Sequence, residues 1–169
     1  AGDVIILLGE FGDEIGASRY LKVCHGRKAG TPPRLDLARE IAVQNATREF
    51  IRPGLVHSAH DCSEGGLAVA LAECCFNPDG LRGAEIKLAP AYEIEERALL
   101  FGEAQSRIII SVTPENLAAA RARLTSIPFA ELGRVGGGNL RIKMPASEHD
   151  WPIAELHDLW YNAIARAVG

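Results

Sequence analysis

The chain has 169 residues, of which 47% are hydrophobic and 24% are charged, and its mean hydropathy is +0.03. A chain of this length and balance can bury a full hydrophobic core, which excludes disorder, coiled coil and collagen-like structure. The net charge of −4 comes without a Lys/Arg block that could track phosphates, so nucleic acid is not an expected partner.

The first predicted element is a strand at Val4–Leu8, closed by Gly9. This is the longest strongly apolar run, and it is far shorter than the roughly 20 residues that cross a bilayer. We therefore expect no membrane partner and a cytoplasmic location.

A Gly- and Pro-rich surface connection follows at residues 26–33. Helical spacing then predicts a helix over residues 35–51, from the sequence positions Ala38, Ile41, Ala42, Ala46 and Phe50.

The middle of the chain alternates between predicted strands and helices. Strands are expected at residues 55–59, 83–88 and 107–112. Helices are expected at residues 67–76, 94–101 and 114–124. The helix at 67–76 is apolar on almost every side, so it is predicted to be buried.

Two strands, at residues 129–135 and 140–144, flank the glycines 136–138 and predict a hairpin. A last helix is expected from about Pro152, with one apolar face containing Ile153, Leu156, Trp160, Ala163 and Ile164. Trp151 and Trp160 are expected to pack in the core.

Alternating elements that end in a hairpin predict an α+β fold, a three-layer mixed β-sheet with flanking helices. The sequence shows no internal repeat, and residues 1–169 are expected to form a single domain.

A first candidate site lies where the strand around residue 59 turns into the buried helix. Backbone N–H groups at a helix start favour an anion, and Gly65 and Gly66 would let a ligand approach the backbone. Asp61 would repel a phosphate unless a cation such as Mg²⁺ lies between them. The alternative is structural: Asp61 or Ser63 caps the helix, and the glycines allow close packing.

A second candidate site is the turn at residues 101–107. Glu103 and Gln105 could hydrogen-bond hydroxyl or amide groups of a ligand, next to Ser106, and Arg107 could pair with a phosphate. In the structural alternative, Glu103 and Arg107 form an ion pair and Gln105 satisfies loop backbone. The sequence does not show whether the two turns meet.

The four cysteines, Cys24, Cys62, Cys74 and Cys75, contain no C-x-x-C spacing and are expected to be reduced core thiols. The five histidines show no metal-binding spacing, so no metal site is expected in this chain. His60 is the one histidine considered for function, and a structural hydrogen bond is the favoured interpretation.

Taken together, the segments resemble the C-terminal domain of the synthetase component of phosphoribosylformylglycinamidine synthase, in the superfamily of aminoimidazole ribonucleotide synthetase. The resemblance is collinear over nearly the whole chain, in residues 2–9, 16–20, 33–37, 58–73, 100–107 and 132–137. It implies the fold of that C-terminal domain and the last domain of a longer multidomain synthetase.

The resemblance also implies an activity. Such a ligase uses ATP and Mg²⁺ to activate an amide oxygen of formylglycinamide ribonucleotide, and ammonia from a glutaminase subunit or domain then displaces it. Upstream ATP-binding-type domains supply the catalytic residues, so none is expected here. The chain alone is therefore expected to be inactive.

The family's substrate-binding Glu-Ser-Gln turn and metal-binding Asp match Glu103, Ala104, Gln105 and Asp61. Ala104 lacks the family's hydroxyl, and Arg19 replaces an acidic residue. We expect the nucleotide- or substrate-binding residues to form one concave edge, comprising Asp61, Ser63, Gly65, Gly66, Glu103, Gln105 and Ser106.

Two alternatives stay open at this point. The chain could belong to a sister ATP-dependent kinase or synthetase, since a fold does not determine a substrate. It could also be a purely structural or assembly domain without a ligand site. Apolar surface normally covered by neighbouring domains would favour self-association.

Overall fold

The computed structural model describes residues 1–77, 79–90 and 93–169. These residues contain seven strands in one sheet: β1 (Val4–Leu8), β2 (Ser58–Asp61), β3 (Ala84–Lys87), β4 (Ile108–Val112), β5 (Phe129–Val135), β6 (Asn139–Lys143) and β7 (Glu148–Pro152). The strand order is β2-β4-β1-β5-β3-β6-β7. Only the β3–β6 pair is parallel, so the sheet is mixed.

The described residues also contain seven α-helices: α1 (Arg19–His25), α2 (Leu37–Ile51), α3 (Gly66–Cys74), α4 (Glu96–Phe101), α5 (Leu117–Arg123), α6 (Ile153–Tyr161) and α7 (Ala163–Val168). Short 3₁₀ turns at Pro114–Asn116 and Leu124–Ser126 flank α5.

Both faces of the sheet are covered, as β1 illustrates. Its five residues are all buried, and alternate side chains of a strand point to opposite faces. Ile5 and Leu7 pack with apolar residues of α3, α4 and α6. Val4, Ile6 and Leu8 pack with residues of α2 and α5. The predicted three-layer mixed sheet is therefore confirmed.

Most predicted elements are present. Strands β1 and β5 have the predicted bounds, and residues 26–33 form a connection without regular structure. Helix α3 is buried, as its apolar sequence indicates. Strand β2 begins three residues later than the predicted start at residue 55. On α2, Ile41 is exposed, while Val43, Ala46 and Phe50 face the core.

The predicted hairpin of β5 and β6 is wrong, because β3 lies between these two strands. β3 pairs antiparallel with β5 and parallel with β6. The glycine connection instead holds the start of β3: Gly83 N–H donates to the Gly137 carbonyl (2.9 Å) and Gly136 N–H to the Gly83 carbonyl (2.8 Å). Ala84 and Ile86 fill the core at this position.

Two elements were not predicted. Helix α1 is short, but Ser18 caps its start and Gly26, in a left-handed conformation, caps its end. Those caps are the sequence signal that could have identified it. Strand β7 is rich in acidic residues, which are rare in strands, and is stabilised at the sheet edge where Asp150 pairs with Arg141 of β6.

The predictions for the last helix need correction. The predicted helix is interrupted at Asn162, so that two helices, α6 and α7, are present. Of the residues on the predicted apolar face, only Ile153 is buried. Trp160 is 54% exposed and Trp151 is half-buried, so neither lies fully in the core. Cys24 is also exposed on α1, contrary to the expectation for a core thiol.

Within the described part of the chain, no helix has both the length and the apolar character needed to cross a membrane.

Candidate functional site

The β2–α3 turn carries four of the predicted site residues, and its glycines are required by packing. Gly66 begins α3 with φ +67°. A Cβ atom added at Gly66 would lie 2.5 Å from the carbonyl oxygen of Gly102, which would be a clash. The start of α3 therefore lies directly against the α4–β4 turn at Gly66, whereas a Cβ atom at Gly65 would meet the side chain of Val69 within α3. The close packing that the structural alternative predicted is present at Gly66, against a turn and not against a strand.

The second predicted turn, residues 102–106, contacts the first through Glu103. Glu103 Oε1 accepts hydrogen bonds from the backbone N–H of Gly65 (2.9 Å) and of Arg19 (2.7 Å). The two turns thus lie side by side and join the starts of α1 and α3. The anion that was predicted at the start of α3 is supplied here by a carboxylate of the protein itself.

Asp61 and Ser63 interact with each other and do not cap α3 through their side chains. The Ser63 hydroxyl donates to Asp61 Oδ2, and this hydrogen bond lowers the pKa of Asp61. Desolvation has a smaller, opposite effect on that pKa. The exposed Asp61 carboxylate is therefore ionised at neutral pH and can contact a ligand.

His60 has structural partners, as the favoured interpretation predicted. Its Nδ1 lies 2.7 Å from the carbonyl oxygen of Asp61, and its Nε2 lies 3.5 Å from Glu73 Oε2 on α3. The imidazole ring thus ties the end of β2 to α3.

The buried side chain of Arg107 stabilises the turn at residues 102–106 through hydrogen bonds to its backbone. Its Nε donates to the carbonyl of Ala104 (2.9 Å) and its Nη2 to the carbonyl of Gly102 (2.6 Å), so it grips the backbone on both sides of Glu103. The side chain is only 3% exposed, and burial lowers its pKa. Among the described residues its Nη1 has no partner, and Arg107 and Glu103 do not form an ion pair. The predicted phosphate contact of Arg107 is wrong because a ligand cannot reach it.

Three of the seven candidate residues line two separate depressions, and Asp61, Ser63, Gly65 and Gly66 line neither of them. Glu103 lines a cavity of about 360 Å³, which we call the basic depression, together with Ala17, Ser18, Arg19, Lys22, Lys28, Ala29, Gly30 and Glu64. Gln105 and Ser106 line a smaller one of about 180 Å³, the acidic depression, with Glu10, Phe11, Gly12, Asp13, Glu14, Arg34, Asp36, Arg39 and Ala104.

Gln105 and Ser106 are also bonded within the protein. Gln105 Nε2 donates to the carbonyl of Glu103 (3.1 Å), which is the backbone role that the structural alternative assigned to it. Ser106 has φ +60° and donates through its hydroxyl to Glu40 Oε2 on α2 (2.7 Å). The structure thus brings the two turns together but does not place all seven residues along one cavity.

Sequence reasoning missed the lysines of the basic depression, Lys22 and Lys28. The signal for them is the charge pattern, because residues 15–35 contain no acidic residue. In the described part of the chain, no group of three or more His, Cys, Asp or Glu side chains could hold a metal ion. Asp61 by itself is an incomplete set of ligands for Mg²⁺.

Comparison with known proteins identifies the family. Residues 1–144 match the family described as "AIR synthase related protein, C-terminal domain". Phosphoribosylformylglycinamidine synthase subunit PurL of Moorella thermoacetica is 48% identical over 166 residues, 96% of this chain and 22% of the relative. PurL of Anaeromyxobacter sp. (strain Fw109-5) is 45% identical over 172 residues, 97% of this chain and 22% of the relative.

Solved structures share the fold. Thermotoga maritima PurL complexed with FGAR superposes with a TM-score of 0.70 at 23% identity, over 92% of this chain and 28% of that one. The hydrogenase maturation protein HypE in complex with ATP gives a TM-score of 0.59 at 17% identity, over 89% of this chain and 50% of that one. The chain spans about a fifth of the length of the curated relatives it matches. By the match over residues 1–144, the chain belongs to the AIR synthase related protein, C-terminal domain family.

Proposed function

We propose that the chain is the last domain of the synthetase component of a phosphoribosylformylglycinamidine synthase. The observation that carries this proposal is the 45–48% identity, over 96–97% of the chain, to relatives named PurL. Sister enzymes such as HypE are matched at the level of fold only. The proposal therefore favours the purine-pathway ligase over a sister kinase or synthetase.

In the proposed reaction, ATP activates an amide oxygen of formylglycinamide ribonucleotide and ammonia displaces it to give the amidine. Solved structures of T. maritima PurL with ATP and with FGAR support ATP and this ribonucleotide as ligands of the complete protein. We place Mg²⁺ with the ATP, in upstream ATP-binding-type domains, as the family resemblance implies. A glutaminase subunit or domain would supply ammonia, and the enzyme would be cytoplasmic.

Within this scheme the domain binds and positions a ligand and holds no catalytic residue. Glu103 is the residue best placed for this role. Its Oε1 is held by the N–H groups of Gly65 and Arg19, whereas its Oε2 accepts no hydrogen bond from the described residues. Because Glu103 also lines the basic depression, Oε2 is available to a hydroxyl or amide donor of a ligand.

The test uses the full-length synthetase with Glu103→Gln. Glutamine keeps one oxygen for the two backbone N–H groups but replaces the free carboxylate oxygen with a donor. We expect the KM for the ribonucleotide or for ATP to rise about 10-fold or more, as for loss of a charge-assisted hydrogen bond, with little change in Tm. Glu155→Gln, on the exposed face of α6, is the matched control.

Two outcomes would contradict the proposal. If the full-length protein converts no formylglycinamide ribonucleotide with ATP and ammonium, the proposed reaction is wrong. If Glu103→Gln leaves turnover unchanged and alters only stability or assembly, Glu103 contacts no ligand and its role is structural. We expect the 169-residue chain alone to show no turnover, because phosphoryl transfer needs the domains that bind ATP.

A further inference from the structure

The cations of this chain are unevenly distributed. The chain has four more acidic than basic residues, counted as 22 Asp and Glu against 18 Lys and Arg. Residues 15–35 nevertheless contain no Asp or Glu and five cations: Arg19, Lys22, Arg27, Lys28 and Arg34. Such a segment creates a local positive potential on an acidic protein, and this potential attracts anions.

The fold brings three of these cations to one cavity. Arg19 and Lys22 are three residues apart on α1, a spacing that places them on the same face of the helix. Lys28 follows on the connection after α1, and all three line the basic depression. Arg19 Nε lies 3.3 Å from Glu64 Oε2. The ammonium groups of Lys22 and Lys28 form no ion pair or hydrogen bond with the described residues.

The segment that carries Lys28 is held by close backbone contact against residues 16 and 17, which precede α1. Ala17 N–H donates to the carbonyl of Ala29 (2.8 Å). A Cβ atom at Gly16 would lie 2.2 Å from the carbonyl oxygen of Thr31, and one at Gly30 would lie 2.8 Å from the Gly16 Cα. Only glycine allows the two segments to cross at this distance. The backbone on this side of the cavity, residues 16–17 and 29–31, is therefore held in place by its own contacts.

Two carboxylates also line the basic depression, and they restrict what can bind. Glu64 is 73% exposed in its side chain and pairs with Arg19. Glu103 Oε1 is already used by two N–H groups. A ligand that suits all of these groups has an anionic end for the lysines and a hydrogen-bond donor for Glu103 Oε2. At about 360 Å³ the cavity has the size of a small-molecule site.

We propose that the basic depression binds the phosphate group of a small phosphorylated ligand that also carries hydroxyl or amide donors. Lys22 and Lys28 contact the phosphate, and Glu103 accepts a hydrogen bond from a donor group of the same ligand. This inference rests on the proposed binding role of Glu103 and adds Lys22 and Lys28 as the residues that contact the phosphate.

The experiment titrates the ¹⁵N-labelled 169-residue chain at low ionic strength with inorganic phosphate and, separately, with ribose 5-phosphate. We expect saturable shifts of the amide signals of residues 17–30, weakened about 5- to 10-fold by Lys22→Met or by Lys28→Met. Lys143→Met, an exposed lysine on β6, is the matched control and should bind as the unmodified chain does. Ribose 5-phosphate should bind more tightly than phosphate, and Glu103→Gln should remove only that difference.

Shifts that do not saturate, or an equal weakening by Lys143→Met, would overturn the inference. The two proposals can fail separately. If Glu103→Gln impairs the full-length enzyme while phosphate does not bind the chain, the inference fails and the proposed function stands. If phosphate binding depends on both lysines while the Glu103→Gln enzyme turns over normally, the phosphate contact stands and the role of Glu103 in the proposed function fails.

Discussion

At the scale of single residues, burial decides the chemistry of the cysteines. Desolvation raises the pKa of Cys62 and of Cys75 to about 11, and that of Cys74 to about 12. Neighbouring thiols add to the increase at Cys74. These three thiols therefore stay protonated and weakly nucleophilic at neutral pH, whereas Cys24 is exposed.

These pKa values predict that the chain loses stability as the pH rises above about 9. In the unfolded chain the thiols ionise near their ordinary pKa of 9.0, while in the folded chain they stay protonated up to about pH 11. The unfolded state then binds fewer protons, so the free energy of unfolding falls by up to about 1.4 kcal/mol per pH unit for each buried thiol. Below pH 9 the thiols are protonated in both the folded and the unfolded chain, so this loss of stability does not occur.

Urea denaturation between pH 8 and 10.5 measures this slope. Cys62→Ala should flatten it, and Cys24→Ser, which alters the exposed thiol, should not. Equal flattening by both substitutions would show that burial of Cys62 is not its cause.

At the scale of elements, local patterns predicted most helices and strands, and packing decided where they end. The spacing on α2 placed Ile41 inward, but the helix turns Val43 toward the sheet. The apolar run of α3 predicted its burial, yet the need for glycine at its first residue, Gly66, comes from the backbone of another segment, at Gly102. Contacts of that kind have no signal in the local sequence.

The start of α3 gives a prediction at this scale. Gly66→Ala would force a Cβ atom against the carbonyl of Gly102 in a backbone conformation that alanine disfavours. We expect a loss of about 2–4 kcal/mol in the free energy of unfolding, from strain and overpacking together. Gly54→Ala is the matched control, because Gly54 also has positive φ (+70°) but has open space around its Cα.

The control variant Gly54→Ala should lose only about 1 kcal/mol in the free energy of unfolding, because it has the unfavourable backbone conformation without the clash. Chemical denaturation of both variants compares them directly. Equal losses would mean that α3 and the α4–β4 turn can separate without cost.

At the scale of the whole molecule, the C-terminal helices leave apolar surface uncovered. Leu159, Tyr161, Ile164 and Val168 are all more than half exposed. Nearby, an apolar groove of about 450 Å³ between α3 and α6 is lined by Phe76, Trp151, Leu156 and Trp160, among other residues. Exposed apolar surface of this kind favours association in water.

We therefore predict that the 169-residue chain self-associates. Sedimentation at several concentrations should show an average mass that rises above 18.2 kDa as concentration increases. The double substitution Ile164→Ser and Val168→Ser on α7 should lower this tendency more than Val23→Ser, which alters an exposed apolar residue on α1. A constant mass of 18.2 kDa at every concentration would show the prediction to be wrong.

The family and most of the helices and strands could be predicted from the amino-acid sequence. Helical and strand periodicity repeats within a few residues, so β1, β5 and the buried α3 could be predicted from neighbouring positions alone. The same holds for the two candidate turns, because glycine and polar residues there follow apolar segments. Both turns were found, although their contact was only a hypothesis.

The strand order and the composition of the site depend instead on contacts between residues far apart in the chain. β3 enters between β5 and β6, and Glu103 meets Gly65 and Arg19 across separations of 38 and 84 residues. The tertiary fold also buries Arg107 and places Lys22 and Lys28 at one cavity. Such contacts depend on how the whole chain packs on the two faces of the sheet. The periodicity of the sequence covers only a few residues, so it does not predict contacts between residues this far apart in the chain.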